Sequence, residues 1–429
     1  MEMSSAVDCR EVDPRGMEGC AYYREREGMD SQEEGSGFNG DWALKYVEEI
    51  AFPRRTGTQG EQKAAQTIVR ILRELGYETS EEDFYILLAP WIWIKGILLI
   101  SLLFLFTTWL TFGKIPLVAV FLSSLFLLGI VVWERLWLYL GRWVVSGSLK
   151  RGMQSKNILA HFPGKEGGQP LYLVAHYDSK SQFLNLYLRT GFFLLGSASG
   201  FTFIIWVWIH VLRSWMGEEG FSIPLVIQGC FSLAVMMNLI LLFTKMENDS
   251  EGAVDNASGV GVLLEVSRDL IVNKPSVINP IFLFTGAEEM GLLGSLMFRK
   301  RHGEEMVQKE GLLINIDSVG KEGKMRGCSS TTLRKRWLRQ VLKVAQEKGI
   351  RLQTLPFHKG VLMDHLPFCQ LGIPSISLTS ISREGWHLHT QRDRFSLIQK
   401  EGLAEMGGLI LGLVESLEIE RRKKNSIKN

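Results

Sequence analysis

Two long apolar blocks, residues 90–146 and 186–246, interrupt this sequence, and any fold it adopts must shelter them from water. Crossing a bilayer takes ~20 mostly apolar residues. Four stretches reach that length: Pro90–Phe112, Ile115–Trp133, Gly191–Leu212 and Phe221–Phe243. Only Gly113 and Lys114 separate the first two, and a short loop carrying Glu218 and Glu219 joins the others, so the spans read as two hairpins. Trp91, Trp93, Trp133, Trp137 and Trp143 gather at one end of the first pair, where an interfacial aromatic belt would sit. Glu134–Gly147 mixes these aromatics with Arg135 and Arg142, as an amphipathic helix in the interface or a continuation of the second span would. Lys95, Arg135, Arg142, Lys150, Arg151, Arg189 and Lys245 flank the side facing the rest of the chain, against Lys114 and Arg213 opposite. The positive-inside rule then predicts a multi-pass protein of the cell membrane, with its folded domain, both termini and the basic segment Arg421–Lys424 in the cytoplasm.

Outside these blocks the composition is that of a soluble protein. The formal net charge of +2 gives no electrostatic reason for a nucleic-acid partner. Five cysteines, an odd number without a close pair, argue against a disulfide framework. The charged, Gly-rich stretch 1–40 lacks the apolar core of a secretory signal and reads as a disordered tail, with Met29 an alternative start.

With the hairpins (90–146, the first with its interfacial helix, and 186–246) removed, one discontinuous domain remains over 41–89, 147–185 and 247–418, followed by a basic tail at 419–429. Helical spacing covers Asp41–Ile50, Gly60–Leu75, Ala257–Leu270, a segment from Glu288 onward, Leu333–Lys348 and Lys400–Leu417. Gly76 suits the cap that ends the second of these. Short apolar runs at Ser155–His161, Leu171–Ala175, Asn279–Phe284, Leu312–Ile316 and Ser375–Leu378 read as buried strands. Helices alternating with such strands predict an α/β fold, three-layer αβα, around a mostly parallel central sheet.

Acids and histidines recur where these strands end, the place where open α/β sheets bind ligands. His176 and Asp178 follow the second run, and Asp255 precedes the helix after the second hairpin. Glu288 and Glu289 follow Asn279–Phe284, Asp317 follows Leu312–Ile316, and His387, His389 and Asp393 come late. Singly, each has a bland explanation: Asp255 as a helix cap, the glutamates as a solvated first turn, His176 as a core histidine. Together they offer two imidazoles and three carboxylates as ligands, a set suited to a two-metal site, with Glu288 left over as a base.

These segments resemble the co-catalytic di-zinc exopeptidases of metallopeptidase family twenty-eight, the bacterial leucyl aminopeptidase and glutamate carboxypeptidase group. LVAHYDS resembles its first histidine motif, GAVDNASG its bridging-aspartate motif and FTGAEEMGLLGS its paired glutamates. INIDSVG is similar to its second aspartate motif and WHLHTQRD to its final histidine, while PRRTGTQGEQKAAQTIVRILRELGYE and MDHLPFCQLGIPSI match its opening helix and late strand. The resemblance implies a zinc-exopeptidase-like domain holding two Zn2+ per chain. Asp255 would bridge them, His176 and Asp317 would complete one position, and Glu289 and His389 the other. Glu288 would be the general base and Asp178 the carboxylate fixing the His176 ring. His389 is favoured over His387 by the His-Thr-x-x-Asp pattern, and Asp364 and His365 match a pocket-lining motif without a role of their own.

Departures lie in the two hairpins, the second of which connects Asp178 to Asp255. About a dozen residues on either side separate it from the ligands, at most ~40 Å of extended chain, so the site is expected near the membrane surface. The expected partners are therefore the lipid bilayer and peptides released at it or the ends of membrane proteins. Aminopeptidase activity is the leading reading, with carboxypeptidase or dipeptidase activity, or a non-catalytic scaffold, as alternatives. A glutaminyl cyclase would lack His176 and Asp317, and a transporter would need more ionisable groups in its spans than Lys95 and His210.

Overall fold

The structure is a computed structural model. It describes residues 37–87, 90–125, 128–129, 132, 145–146, 151–164, 167–217, 222–321, 324–328, 335–355, 363–381 and 386–428. The chain opens with α1 (Gly40–Ile50), whose first amides bond the Asn39 side chain, and α2 (Gln59–Glu74), capped by Thr58. After the Gly76 turn come β1 (Glu78–Ile86), α3 (Pro90–Thr111) and a shorter apolar helix α4 (Pro116–Leu125). Strands β2 (Val145–Ser146), β3 (Met153–His161), β4 (Gln169–His176) and β5 (Ser181–Gln182) lead to α5 (Leu186–Trp215) and α6 (Leu225–Leu242). The chain returns through β6 (Met246–Glu247), α7 (Ser258–Val272), β7 (Ile278–Thr285), α8 (Leu293–Gln308) and β8 (Leu312–Ile316). It closes with β9 (Lys324–Cys328), α9 (Lys335–Glu347), β10 (Gln353–Leu355), α10 (Leu366–Cys369), β11 (Ser375–Ile381) and α11 (Lys400–Lys428).

Nine strands form one sheet in the order β10-β9-β11-β8-β4-β7-β3-β1-β2. Its central block β11-β8-β4-β7 is parallel, with antiparallel pairs toward both edges. The central strands are apolar on both faces because both are covered. Leu171, Leu173 and Ala175 of β4 point into one core with Ile314 of β8 and Phe282 of β7. Tyr172 and Val174 point the other way, to Leu283, Leu313 and Phe298. This alternation, period two along a strand, is what makes a three-layer αβα sandwich. Phe298 is 1% exposed between the rings of Tyr172 and Phe368. Phe298→Ala is expected to cost about 3–5 kcal/mol, read as a lowered unfolding midpoint in detergent.

Among the described residues three helices, α3, α5 and α6, are long and apolar enough to cross a membrane, rather than the four expected. The stretch Ile115–Trp133 gives only α4 within the described residues, and most of 126–144, with the interfacial helix expected there, lies outside them. Only 22%, 33% and 17% of the three apolar windows is buried, so Leu99, Leu103, Leu110, Ile205 and Leu225 face outward. Such surfaces are stable against lipid and not against water. Their inner faces pack together: Trp109 stacks on Phe231 at 4.4 Å, and the Trp208 indole donates to Ser123 Oγ at 2.7 Å.

Other expectations shift at element ends. Val145–Ser146, placed in the first membrane block by the sequence, pair with β1 in the sheet. The 419–429 tail continues α11 as far as Lys428, because Glu418 anchors the helix to the Ser276, Val277 and Ile278 amides. Glu288 does not open a helix; α8 starts at Leu293, after a turn through Ala287 and Leu292 at positive φ. Residues 1–36 lie outside the described residues, as do Cys9 and Cys20; Cys230 and Cys369 are free thiols.

Candidate metal centre

The parallel order of β11, β8, β4 and β7 brings their carboxyl ends to one edge of the sheet, and the polar residues that follow each strand meet there. His176 ends β4, Glu288 and Glu289 follow β7, Asp317 follows β8, and His389 lies in the loop after β11. Asp255 arrives from the turn before α7, entered through Gly252 at φ +53. A side chain at Gly252 would collide with Ser179 and with the Asp255 carbonyl.

His176 Nε2 lies 3.1 Å from Asp255 Oδ1 and 3.8 Å from Asp317 Oδ1. His389 Nε2 lies 2.9 Å from Asp255 Oδ2 and 3.3 Å from Glu289 Oε2. The five side chains thus form two triads, His176–Asp255–Asp317 and Asp255–Glu289–His389, each with donor atoms within 4.8 Å of one another. They share Asp255, one oxygen toward each imidazole. Glu288 belongs to neither triad, and its Oε2 stands 3.9 Å from His176 Nε2. His387 is in neither triad.

The triad side chains and Glu288 are nearly closed to solvent, with at most 8% of any of them exposed. Four carboxylates in so small a buried volume repel one another and are stable only beside cations. Burial pushes Glu288 well above the usual carboxylate range, helped by the neighbouring charges of Glu289, Asp364 and Asp317. Burial would do the same to Glu289, but His389 and Lys180 hold it down to about 2. His176 is driven well above its ordinary value because the surrounding acids, Glu288 foremost, outweigh its burial. Glu289 Oε1 and His176 Nε2 are buried without a hydrogen-bond partner. Two mixed imidazole–carboxylate triads with a shared carboxylate and such unspent atoms suit a pair of divalent cations of zinc type.

A supporting layer holds the ligand loops in place. The Asp178 carboxylate accepts from the Glu288 amide at 3.0 Å, the Glu289 amide at 3.2 Å and the Thr56 hydroxyl at 2.9 Å. Its distance to His176 Nδ1 is 3.6 Å, longer than the 3.2 Å from that nitrogen to the Asp178 carbonyl. The His176 ring therefore faces both the carbonyl and the carboxylate of Asp178, and the same carboxylate pins the paired glutamates. Asp393 accepts from the Val254 and Asp255 amides at 2.7 and 3.1 Å. Asn256 donates to the Ile316 carbonyl and accepts from the Ser318 amide, joining the Asp255 turn to the end of β8.

Arg54 is the support that sequence reasoning missed. Wholly buried, its guanidinium donates to the carbonyls of Tyr177 at 2.6 Å and Gly252 at 2.8 Å, and also to those of Phe52 and Glu251. It thereby ties the loop after His176 to the turn before Asp255. The signal lay in the Pro53-Arg54-Arg55-Thr56 run, but a buried arginine serving only carbonyls leaves no periodic trace. Asp364, buried under the site, accepts from the Thr285 hydroxyl at 2.5 Å and from that of Ser295, and His365 Nδ1 lies 2.6 Å from Ser377 Oγ. Both belong to the floor of the site. Backbone strain collects here too: Ala287 before Glu288, Ser318 after Asp317, and His389 itself all have positive φ.

The sequence model for peptidase family M28 matches residues 234–414, which include Asp255, Glu288, Glu289, Asp317 and His389 but not His176 or Asp178. Aminopeptidase YwaD of Bacillus subtilis is 32% identical over 187 residues, 42% of this chain and 40% of that protein. The alkaline phosphatase isozyme conversion protein of Escherichia coli is 25% identical over 47% of this chain and 61% of its own length. The chain thus spans less than two thirds of these relatives. Among solved structures, a zinc aminopeptidase from Bacillus subtilis superimposes with a TM-score of 0.52 at 16% identity, covering 89% of this chain and 95% of that one. A Porphyromonas gingivalis glutaminyl cyclase gives 0.51 at 17% identity, covering 89% and 99%. At that identity the likeness is one of fold. Residues 234–414 thus match the sequence model of peptidase family M28, and the chain shares the fold of these solved structures.

Proposed function

We propose that this protein is a zinc-dependent exopeptidase, an aminopeptidase in the first instance, working at a membrane surface with two zinc ions per chain. The observation that carries the reading is Asp255, one buried carboxylate shared by two imidazole–carboxylate triads. His176 and Asp317 would hold one ion, Glu289 and His389 the other, and Asp255 both. Zinc bound there would acidify a water molecule and polarise the scissile carbonyl. Glu288, unengaged by either triad and kept proton-hungry by its buried, acidic surroundings, takes the proton of the attacking water and returns it to the leaving amine. Asp178 holds Glu288 and Glu289 at their amides so that base and ligand point apart from adjacent positions in the chain. The likeness to an aminopeptidase and to a zinc aminopeptidase, both from Bacillus subtilis, supports the same choice.

The membrane setting rests on how the second hairpin is tied to the site. β5 and β6, the strands entering and leaving it, pair with each other, and the Gln182 amide donates to the His389 carbonyl at 2.8 Å. Tyr187, in the first turn of α5, packs on Trp386 at 4.9 Å, three residues before His389. Phe183, between β5 and α5, is 88% exposed. An aromatic rim at the root of a membrane-spanning helix sits at headgroup depth, so apolar peptides partitioned into the interface are the favoured substrates. In detergent, purified protein is expected to cleave N-terminally free peptides, lose that activity to a zinc chelator and regain it with added zinc. Cleavage confined to N-blocked peptides, or indifference to chelation, would contradict the reading.

A further inference from the structure

Among the described residues Arg54, Lys180 and Arg189 lie beside the metal centre, and the first two are already spent. Arg54 serves backbone carbonyls only. Lys180 Nζ lies 2.5 Å from Glu289 Oε2 and is consumed as the counter-charge of that ligand. Arg189 is different. It stands in the first turn of α5, and among the described residues its guanidinium bonds only the neutral Gln182 side chain, whose own backbone is hydrogen-bonded to His389. Among the described residues no carboxylate lies within ion-pair range of it.

A cation in the first turn of a helix faces the positive end of the helix dipole, which is the unfavourable sign. The acidic groups that act on its charge are Glu289 and Asp255, both of the metal centre. A half-buried guanidinium has five donors in a planar fork, and one neutral acceptor leaves most of them unused. The matching partner is a carboxylate, which takes two parallel N–H bonds.

Resting on the exopeptidase reading above, we propose that Arg189 is the anchor for the free α-carboxylate of a short peptide, so that the preferred substrates are dipeptides and similarly short products with both termini free. The second hairpin then supplies a specificity-determining residue as well as a membrane anchor. A substrate carboxylate would replace what the fold leaves out beside Arg189, while the scissile bond lies over the two triads.

The test compares one dipeptide with its C-terminal amide, assayed for kcat and KM in wild type and Arg189→Gln. Wild type is expected to prefer the free carboxylate by about 10–100-fold in kcat/KM, through KM. Arg189→Gln is expected to bring that ratio close to one. An unaltered ratio in Arg189→Gln, as a lipid-headgroup anchor or a purely structural arginine would give, overturns the proposal, and so does a wild type without the preference. Should wild type cleave neither compound, nor any longer peptide, the exopeptidase reading fails and this inference with it.

Discussion

Replacing Glu288 by Gln is expected to lower kcat by about 10²–10⁴-fold, the usual worth of a positioned general base. The amide has the same shape, and the backbone bond from residue 288 to Asp178 does not involve the side chain. What is lost is the capacity to accept a proton. Because Glu288 belongs to neither triad, bound zinc and KM should stay close to wild type. An interaction made only in the transition state shows this signature, a fall in kcat and kcat/KM together. Loss of zinc along with activity would instead make Glu288 a ligand, and an unchanged kcat would move the base elsewhere.

Asp255→Ala should have the larger effect on metal. Asp255 is the one side chain common to both triads, so its removal weakens both positions at once. His389→Ala or Asp317→Ala withdraws a ligand from a single position and should spare the other. Metal analysis of purified variants is expected to find little zinc in Asp255→Ala and about one ion per chain in the other two. Activity in Asp255→Ala should fall to background, since water activation rests on the bound ions. Retention of a full metal complement by Asp255→Ala would contradict a shared carboxylate.

Much of this was legible in the sequence, for identifiable reasons. Leu171–Ala175 and Leu312–Ile316 are apolar on both faces because helices cover both sides of the central sheet, and such runs stand out. Ligands clustered at parallel strand ends could be listed before their geometry was known, since topology alone brings those ends together. β1 was missed: every residue from Glu78 to Asp83 is an acid or carries a hydroxyl, as a strand near a sheet edge can. β9 and β10, short and toward the opposite edge, left no pattern either. The roles of Arg54 and Asp393 were hidden because they act on backbone carbonyls and amides, which every residue possesses. Arg189 was read from the sequence only as a charge flanking a membrane span; its place beside His389 depends on the β5–β6 pairing, a contact between segments separated by the whole second hairpin.

Zinc bound per chain in the full-length protein, purified in detergent and measured by elemental analysis against amino-acid quantification, tests the two-metal centre most directly. A ratio near two, falling to near one in His389→Ala, is the expected result. A ratio near one in the wild type that is insensitive to His389→Ala, or no zinc in a protein that still cleaves peptides, would contradict it.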